Sequence, residues 1–172
     1  MTSENWLKDK LILVVDDEPD VLEVITEQLN DCEIHKAKDY ETAVQFLLSY
    51  TYDIVILDIM GVNGFELLKH SVARGFPTVM LTAHALSPDS LKKSIKLGAV
   101  SFLPKEEMPE LRSFLEDVFL GGGKPVWKKI FDRLSSFFDK RFGPEWKQRD
   151  EFFKRFEEEI RKTLNDRPES KT

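Results

Sequence analysis

Five polar residues stand out because each comes at or just after the end of a short apolar run. Asp16 and Asp17 follow residues 11–15, Asp58 follows 54–57, Thr82 follows 78–81, and Lys105 follows 100–103 by one proline. Three carboxylates gathered at one place repel one another, by about 4 kcal/mol per pair at ~4 Å and an effective dielectric of ~20. Such a cluster either holds a proton or binds a cation. Hard oxygen ligands suit Mg²⁺, which keeps waters and bridges to phosphate oxygens. A carboxylate beside that ion can attack phosphorus, because the metal neutralises the incoming phosphoryl oxygens. A lysine and a hydroxyl opposite would hold the oxygens that remain. Together the five residues describe a phosphoryl-accepting aspartate site. Singly, each has a plainer reading: Asp16 and Asp17 as helix caps before Glu18-Pro19, Thr82 as a loop residue, and Lys105 as a solvated cation.

The elements that would position these residues alternate strictly. The continuous apolar runs at 11–15, 54–57, 78–81 and 100–103, with a weaker one at 33–37, have the character of parallel strands covered on both faces. Between and after them, apolar residues recur at helical spacing: Val21, Leu22, Ile25, Leu29; then Ala43, Phe46, Leu47; Phe65, Leu67, Leu68, Val72; Leu91, Ile95; and Leu111, Phe114, Leu115, Val118. Five strands and five helices in alternation predict an α/β, doubly wound, five-stranded parallel sheet with right-handed crossovers. Ligands of such sheets sit at the carboxyl ends of the strands, where the five polar residues lie.

The motifs Val14-Val15-Asp16-Asp17-Glu18-Pro19, Ile56-Leu57-Asp58-Ile59-Met60, Leu81-Thr82-Ala83 and Ser101-Phe102-Leu103-Pro104-Lys105 resemble those of the receiver domain of bacterial two-component response regulators, over about residues 10–120. The resemblance implies a flavodoxin-like strand order of 2-1-3-4-5 and phosphorylation of Asp58 by a histidine kinase or a small phosphodonor. It implies that Asp17, Asp58 and the Met60 backbone carbonyl ligate Mg²⁺, with Asp16 acting through water. It further implies that Lys105, Thr82 and Ala83 attend the phosphoryl group, and that Phe102 is an aromatic switch turning inward when Thr82 moves. It also implies that Met60 and His84 flank the entry path, where they would modulate the lifetime of the phosphorylated form. Two features depart from the family. Asp58 reaches Gly64 through only five residues and no proline, and Lys105 is followed by Glu106 where the family commonly has proline. The loop beside Asp58 and the hold on the lysine are therefore expected to differ.

The rest of the chain has another character. Residues 1–123 carry 11 basic and 21 acidic side chains, and residues 124–172 carry 14 and 10, so the overall charge of −6 hides a basic tail. Gly121-Gly122-Gly123 and Pro125 separate the two parts. The expected organisation is a receiver at 1–120, a glycine-rich linker at 121–125, a two-helix extension at 126–166 and a frayed tail at 167–172. Within the extension, Trp127, Ile130, Phe131, Leu134, Phe138 and then Trp146, Phe153, Phe156, Ile160 form two helical stripes broken by Gly143-Pro144, an α-helical hairpin. That stripe must dock on the receiver, on a second copy or on a partner, and pairing of two copies into a four-helix arrangement is the preferred reading. The acid-before-base pairs Asp150/Lys154, Glu151/Arg155, Glu157/Arg161 and Glu158/Lys162 would stabilise a solvated helix face.

The net acidity argues against a general nucleic-acid binder. The single Cys32 cannot form an internal disulfide, and the lack of a leader or a long apolar run suggests a soluble, cytoplasmic protein. The expected function is a phosphorylation-controlled switch with a sensor histidine kinase upstream and protein–protein contact or dimerisation as output. It is not expected to be an enzyme with a separate substrate. The alternatives are a DNA-binding transcriptional regulator and a Mg²⁺-dependent phosphatase or phosphotransferase.

Overall fold

The computed structural model describes residues 5–83 and 86–165, with side chains to residue 162. Five strands, β1 (Leu11–Val15), β2 (Glu33–Ala37), β3 (Ile54–Asp58), β4 (Thr78–Thr82) and β5 (Ser101–Pro104), form one parallel sheet in the order β2-β1-β3-β4-β5. The helices α1 (Pro19–Gln28), α2 (Tyr40–Ser49), α3 (Gly64–Ala73), α4 (Pro88–Lys96) and α5 (Leu111–Leu120) alternate with them. The expected flavodoxin-like architecture is what forms. Its centre is dry: every residue of β3 and β4 is buried, which is why these strands show unbroken apolar runs rather than alternation.

Local chemistry sets the helix starts. Asp39 caps α2 by accepting from Thr42 N at 2.8 Å, and Ser87 and Ser90 form a reciprocal capping box at α4. At α1 the N-cap is Glu18, with no side-chain cap and Pro19 in the first turn. Neither Asp16 nor Asp17 is the N-cap residue of α1, although Asp16 Oδ1 accepts from Glu18 N at 2.9 Å.

After α5 the chain turns through Gly122 and Gly123, both at positive φ, and enters α6 (Trp127–Phe142) and α7 (Glu151–Asn165). The residues that follow the expected linker are tied to the sheet. Val126 N donates to Val100 O at 2.9 Å, and Trp127 Nε1 donates to Ala99 O at 3.2 Å. From there α6 runs along β5, an edge strand of the sheet. Phe138 meets Phe102 with ring centroids 6.4 Å apart, and Arg141 reaches Glu106 at 3.9 Å. On the α5 side, Arg133 pairs with Asp117 at 2.9 Å and lies 3.9 Å over the Phe114 ring.

This corrects the preferred reading of the apolar stripe. It is covered by the receiver's own α4–β5–α5 side and needs no second copy, because an exposed sheet edge already offers it a partner. Trp127, Ile130, Phe131, Leu134 and Phe138 of α6 are all buried, against Phe153 alone among the described side chains of α7. At roughly 1.5–3 kcal/mol per fully buried large side chain, α6 is held far more firmly than α7. A second correction concerns Asp150. It is paired with Lys92 of α4 at 2.5 Å rather than with Lys154, whereas Glu157 and Arg161 pair as expected at 2.6 Å. The expected frayed tail at 167–172 lies outside the described residues.

Candidate functional site

Asp58 ends β3 and lies beside Leu81 in the β3–β4 register, so Thr82 is one residue past its neighbour. Asp16 directly follows Val15, which pairs with Leu57. Lys105 opens a 3-10 turn, Lys105–Glu110, immediately after β5. Four strand ends thus deliver four polar residues to one crevice. Lys105 Nζ is 2.9 Å from Asp16 Oδ2, 3.5 Å from Asp58 Oδ1 and 3.7 Å from Glu18 Oε1. This geometry needs no unusual backbone at Lys105-Glu106, since the described peptide bonds are all trans.

Burial dominates the electrostatics. Asp58 is 5% exposed. Its pKa is pushed up to about 7, first by desolvation and then by the negative charges of Asp16 and Asp17, against the opposing pull of Lys105. Asp16, fully buried, is also raised by desolvation, although Glu18 N and Lys105 work the other way. Desolvation disfavours the Lys105 ammonium, yet its contacts with Asp16 and Asp58 outweigh this and raise its pKa. Lys105 is the cation that makes this carboxylate cluster tolerable.

The buried Thr82 Oγ1 has no hydrogen-bond partner, and the buried Asp16 Oδ2 has only the Lys105 ammonium, at 2.9 Å. Buried polar atoms in this condition are expensive unless a ligand completes them. Asp16, Asp17 and Glu18 bring carboxylate oxygens within 4.8 Å of one another, and Asp16 Oδ1 is already engaged by Glu18 N at 2.9 Å. An all-oxygen donor set with an incomplete buried carboxylate fits a small hard cation such as Mg²⁺.

The short loop after Asp58 closes by unusual means. Gly61 and Asn63 both adopt positive φ, 85° and 56°. A Cβ on Gly61 would sit 2.5 Å from Asp17 Oδ2, so the missing side chain is what lets the Asp17 carboxylate lie against this loop. A Cβ on Gly64 would fall 2.0 Å from the Asp58 carbonyl oxygen, and Gly64 N donates to Ile59 O at 3.1 Å. Gly61 is the site residue that the sequence reading missed. A glycine inside a loop of only five residues was its signal.

The other expected residues are placed as follows. Met60 is exposed beside Asp58, and Ala83 is half-buried at the end of β4. Phe102 is fully buried on the same sheet face as Thr82, because its register partner Met80 lies two residues before Thr82. His84 lies outside the described residues. Cys32 is half-buried and packed, with Sγ donating to Leu7 O at 3.1 Å and its thiol pushed up to about 11 by burial.

Comparison with known proteins agrees with this geometry. Residues 12–116 match the response regulator receiver domain family. The chain belongs to that family. It is 36% identical over 100 residues to the two-component response regulator ARR18 of Arabidopsis thaliana, covering 55% of this chain and 16% of that protein. It is 31% identical over 105 residues to the response regulator GtcR of Aneurinibacillus migulanus, covering 58% and 43%. The receiver thus spans less than half the length of these curated relatives. Among solved structures, the chemotaxis protein CheY4 of Vibrio cholerae superposes with a TM-score of 0.58 at 27% identity, covering 63% of this chain and 98% of that one. Helices α6 and α7 lie beyond the matched region. Receiver domains bind Mg²⁺ at an acidic pocket, which here is the cluster around Asp16, Asp17 and Glu18. No described helix is long and apolar enough to cross a membrane.

Proposed function

We propose that the protein is a phosphorylation-controlled signalling switch that accepts a phosphoryl group on Asp58 from a sensor histidine kinase. It acts in the cytoplasm and passes its state to a downstream protein. The observation that carries this reading is the environment of Asp58: a buried carboxylate at a strand end, with Lys105 Nζ at 3.5 Å and the unpartnered Thr82 hydroxyl one register position away. Asp16, Asp17, Asp58 and the Met60 carbonyl are the groups that would hold Mg²⁺. When bound, the ion would offset the negative charge of the carboxylates and of an arriving phosphoryl group.

This chain's own residues supply the remaining requirements. Deprotonated Asp58 offers an oxygen to phosphorus as the donor's leaving group departs. Lys105 shifts from Asp16 toward the new phosphoryl oxygens, and Thr82 Oγ1 gains the acceptor it lacks. Ala83, next to Thr82, contributes backbone at the same end of β4. The receiver unit is residues 1–120, and residues 126–166 carry the output.

The ion pairing of the extension supports protein contact over DNA binding as that output. Lys128 pairs with Asp132, Arg133 with Asp117, Lys92 with Asp150 and Arg161 with Glu157, whereas phosphate contacts need free cations. Dimerisation through 126–166 loses its main driving force once the receiver covers the stripe. Receiver domains are in general switches rather than enzymes.

Intact mass after incubation with acetyl phosphate and Mg²⁺ tests the acceptor. One added phosphoryl group on the wild type and none on Asp58→Asn is the expected result. Addition to both proteins, or to neither, would remove Asp58 from the role.

A further inference from the structure

The extension's two helices are held very differently. Helix α6 is fixed at its start by the backbone bond from Val126 to Val100 and the indole bond from Trp127 to Ala99, and along its length by five buried side chains. Among its described side chains, helix α7 buries Phe153 alone and rests otherwise on half-buried rings and on charge. Asp150 grips Lys92 at 2.5 Å, and the Phe152 ring lies beneath Lys96 and Lys92, at 5.3 and 5.8 Å. The joint between α6 and α7 contains Gly143, at φ 95°, followed by Pro144.

An unbroken series of ring contacts joins the site to α7. Phe102 meets Phe138 at 6.4 Å, Phe138 meets Trp146 at 5.5 Å, and Trp146 meets Phe153 at 4.9 Å. At the near end, Phe102 shares a sheet face with the unpartnered Thr82 hydroxyl. A second connection runs through α4, which begins six residues after Thr82 and carries both lysines that hold α7. A phosphoryl group on Asp58 would satisfy Thr82 and draw it inward. Phe102 would follow into the space released, and the ring series would lose its support at the sheet end. Packed aromatic contacts repack or part rather than stretch, and they part where they are held least.

We infer that α6 is a permanent part of the receiver and that α7 is a strap, loosened from α4 and α6 when a phosphoryl group occupies Asp58, through the Phe102–Phe138–Trp146–Phe153 contacts. The inference rests on Asp58 as the acceptor. The strap's release would uncover the apolar side of α7 and the surface of α6 and α4 beneath it, giving a phosphorylation-dependent contact surface without separation of the whole extension.

Peptide-resolved hydrogen exchange of the full chain, with and without beryllofluoride and Mg²⁺, tests this. Beryllofluoride should slow exchange around residues 58–64 and speed that of 151–162 by about ten-fold, an ordinary coupling between sites, while 127–134 stay unchanged. Asp150→Asn keeps the acceptor for Phe152 N but weakens the grip on Lys92. It should raise α7 exchange before any addition and, by reciprocity, tighten beryllofluoride binding. Phe102→Leu should retain protection at 58–64 and lose most of the α7 response. Protection at 58–64 with α7 unchanged or slowed overturns the strap, and equal acceleration of α6 and α7 overturns the fixed α6. An undiminished α7 response in Phe102→Leu overturns the ring route. Absence of protection at 58–64 overturns the Asp58 reading itself, and the strap with it.

Discussion

Replacing Asp58 by asparagine should make the metal-free protein more stable at neutral pH. The folded state raises the Asp58 pKa from 3.8 to about 7, chiefly by burial. An acid whose pKa is raised on folding binds its proton more tightly in the native state. Its favourable contribution is complete below pH 3.8 and is lost as pH rises toward 7. At about 1.36 kcal/mol per unit, ionising Asp58 in place costs the wild type up to about 4 kcal/mol by pH 7–8. Asparagine keeps the shape and never takes the charge. The difference in unfolding free energy between Asp58→Asn and wild type should therefore grow from near zero at pH 4 to about 2–4 kcal/mol at pH 7.5, or roughly 5–15 °C in Tm for a chain of this size. Titrating groups remote from the site are common to both proteins and cancel in the difference. Urea unfolding of both proteins at half-unit pH steps, in EDTA, measures the curve. Adding Mg²⁺ should shrink the gap by stabilising the wild type selectively. A gap independent of pH, or an asparagine variant less stable than wild type at pH 7.5, would refute the claim that burial of the Asp58 carboxylate outweighs the pull of Lys105 at this site.

Removing the cation acts in the opposite direction. Lys105→Met leaves Asp16 and Asp58 facing each other without their ammonium, so stability in EDTA at pH 7.5 should fall by about 2–4 kcal/mol, while titration calorimetry should show tighter Mg²⁺ binding because the competing charge is gone. The loop makes a separate prediction: Gly64→Ala should destabilise by about 3 kcal/mol or more and weaken Mg²⁺ binding, since its Cβ would collide with the Asp58 carbonyl. Gly75→Ala, at φ 78° in open space, should cost only about 1–2 kcal/mol in the same thermal scan and leave Mg²⁺ binding alone.

The sequence by itself determined the sheet and the strand ends at which the candidate residues meet. Strands buried on both faces must be apolar throughout, so β1, β3 and β4 announced themselves, and the parallel crossover topology then carried Asp16, Asp58, Thr82 and Lys105 to one end. Only the tertiary structure decided how the site is balanced and what covers the extension. The raised Asp58 pKa depends on desolvation by residues distant in sequence, and the place of Asp17 depends on a Cβ missing at Gly61. The apolar periodicity of α6 declared that a face would be buried without saying against what, because hydrophobic burial is non-directional. The docking partner was fixed by the open edge of β5, by Trp127 reaching the Ala99 carbonyl and by Lys92 claiming Asp150 from its helical neighbour, contacts between residues 28 to 58 positions apart that no local pattern encodes.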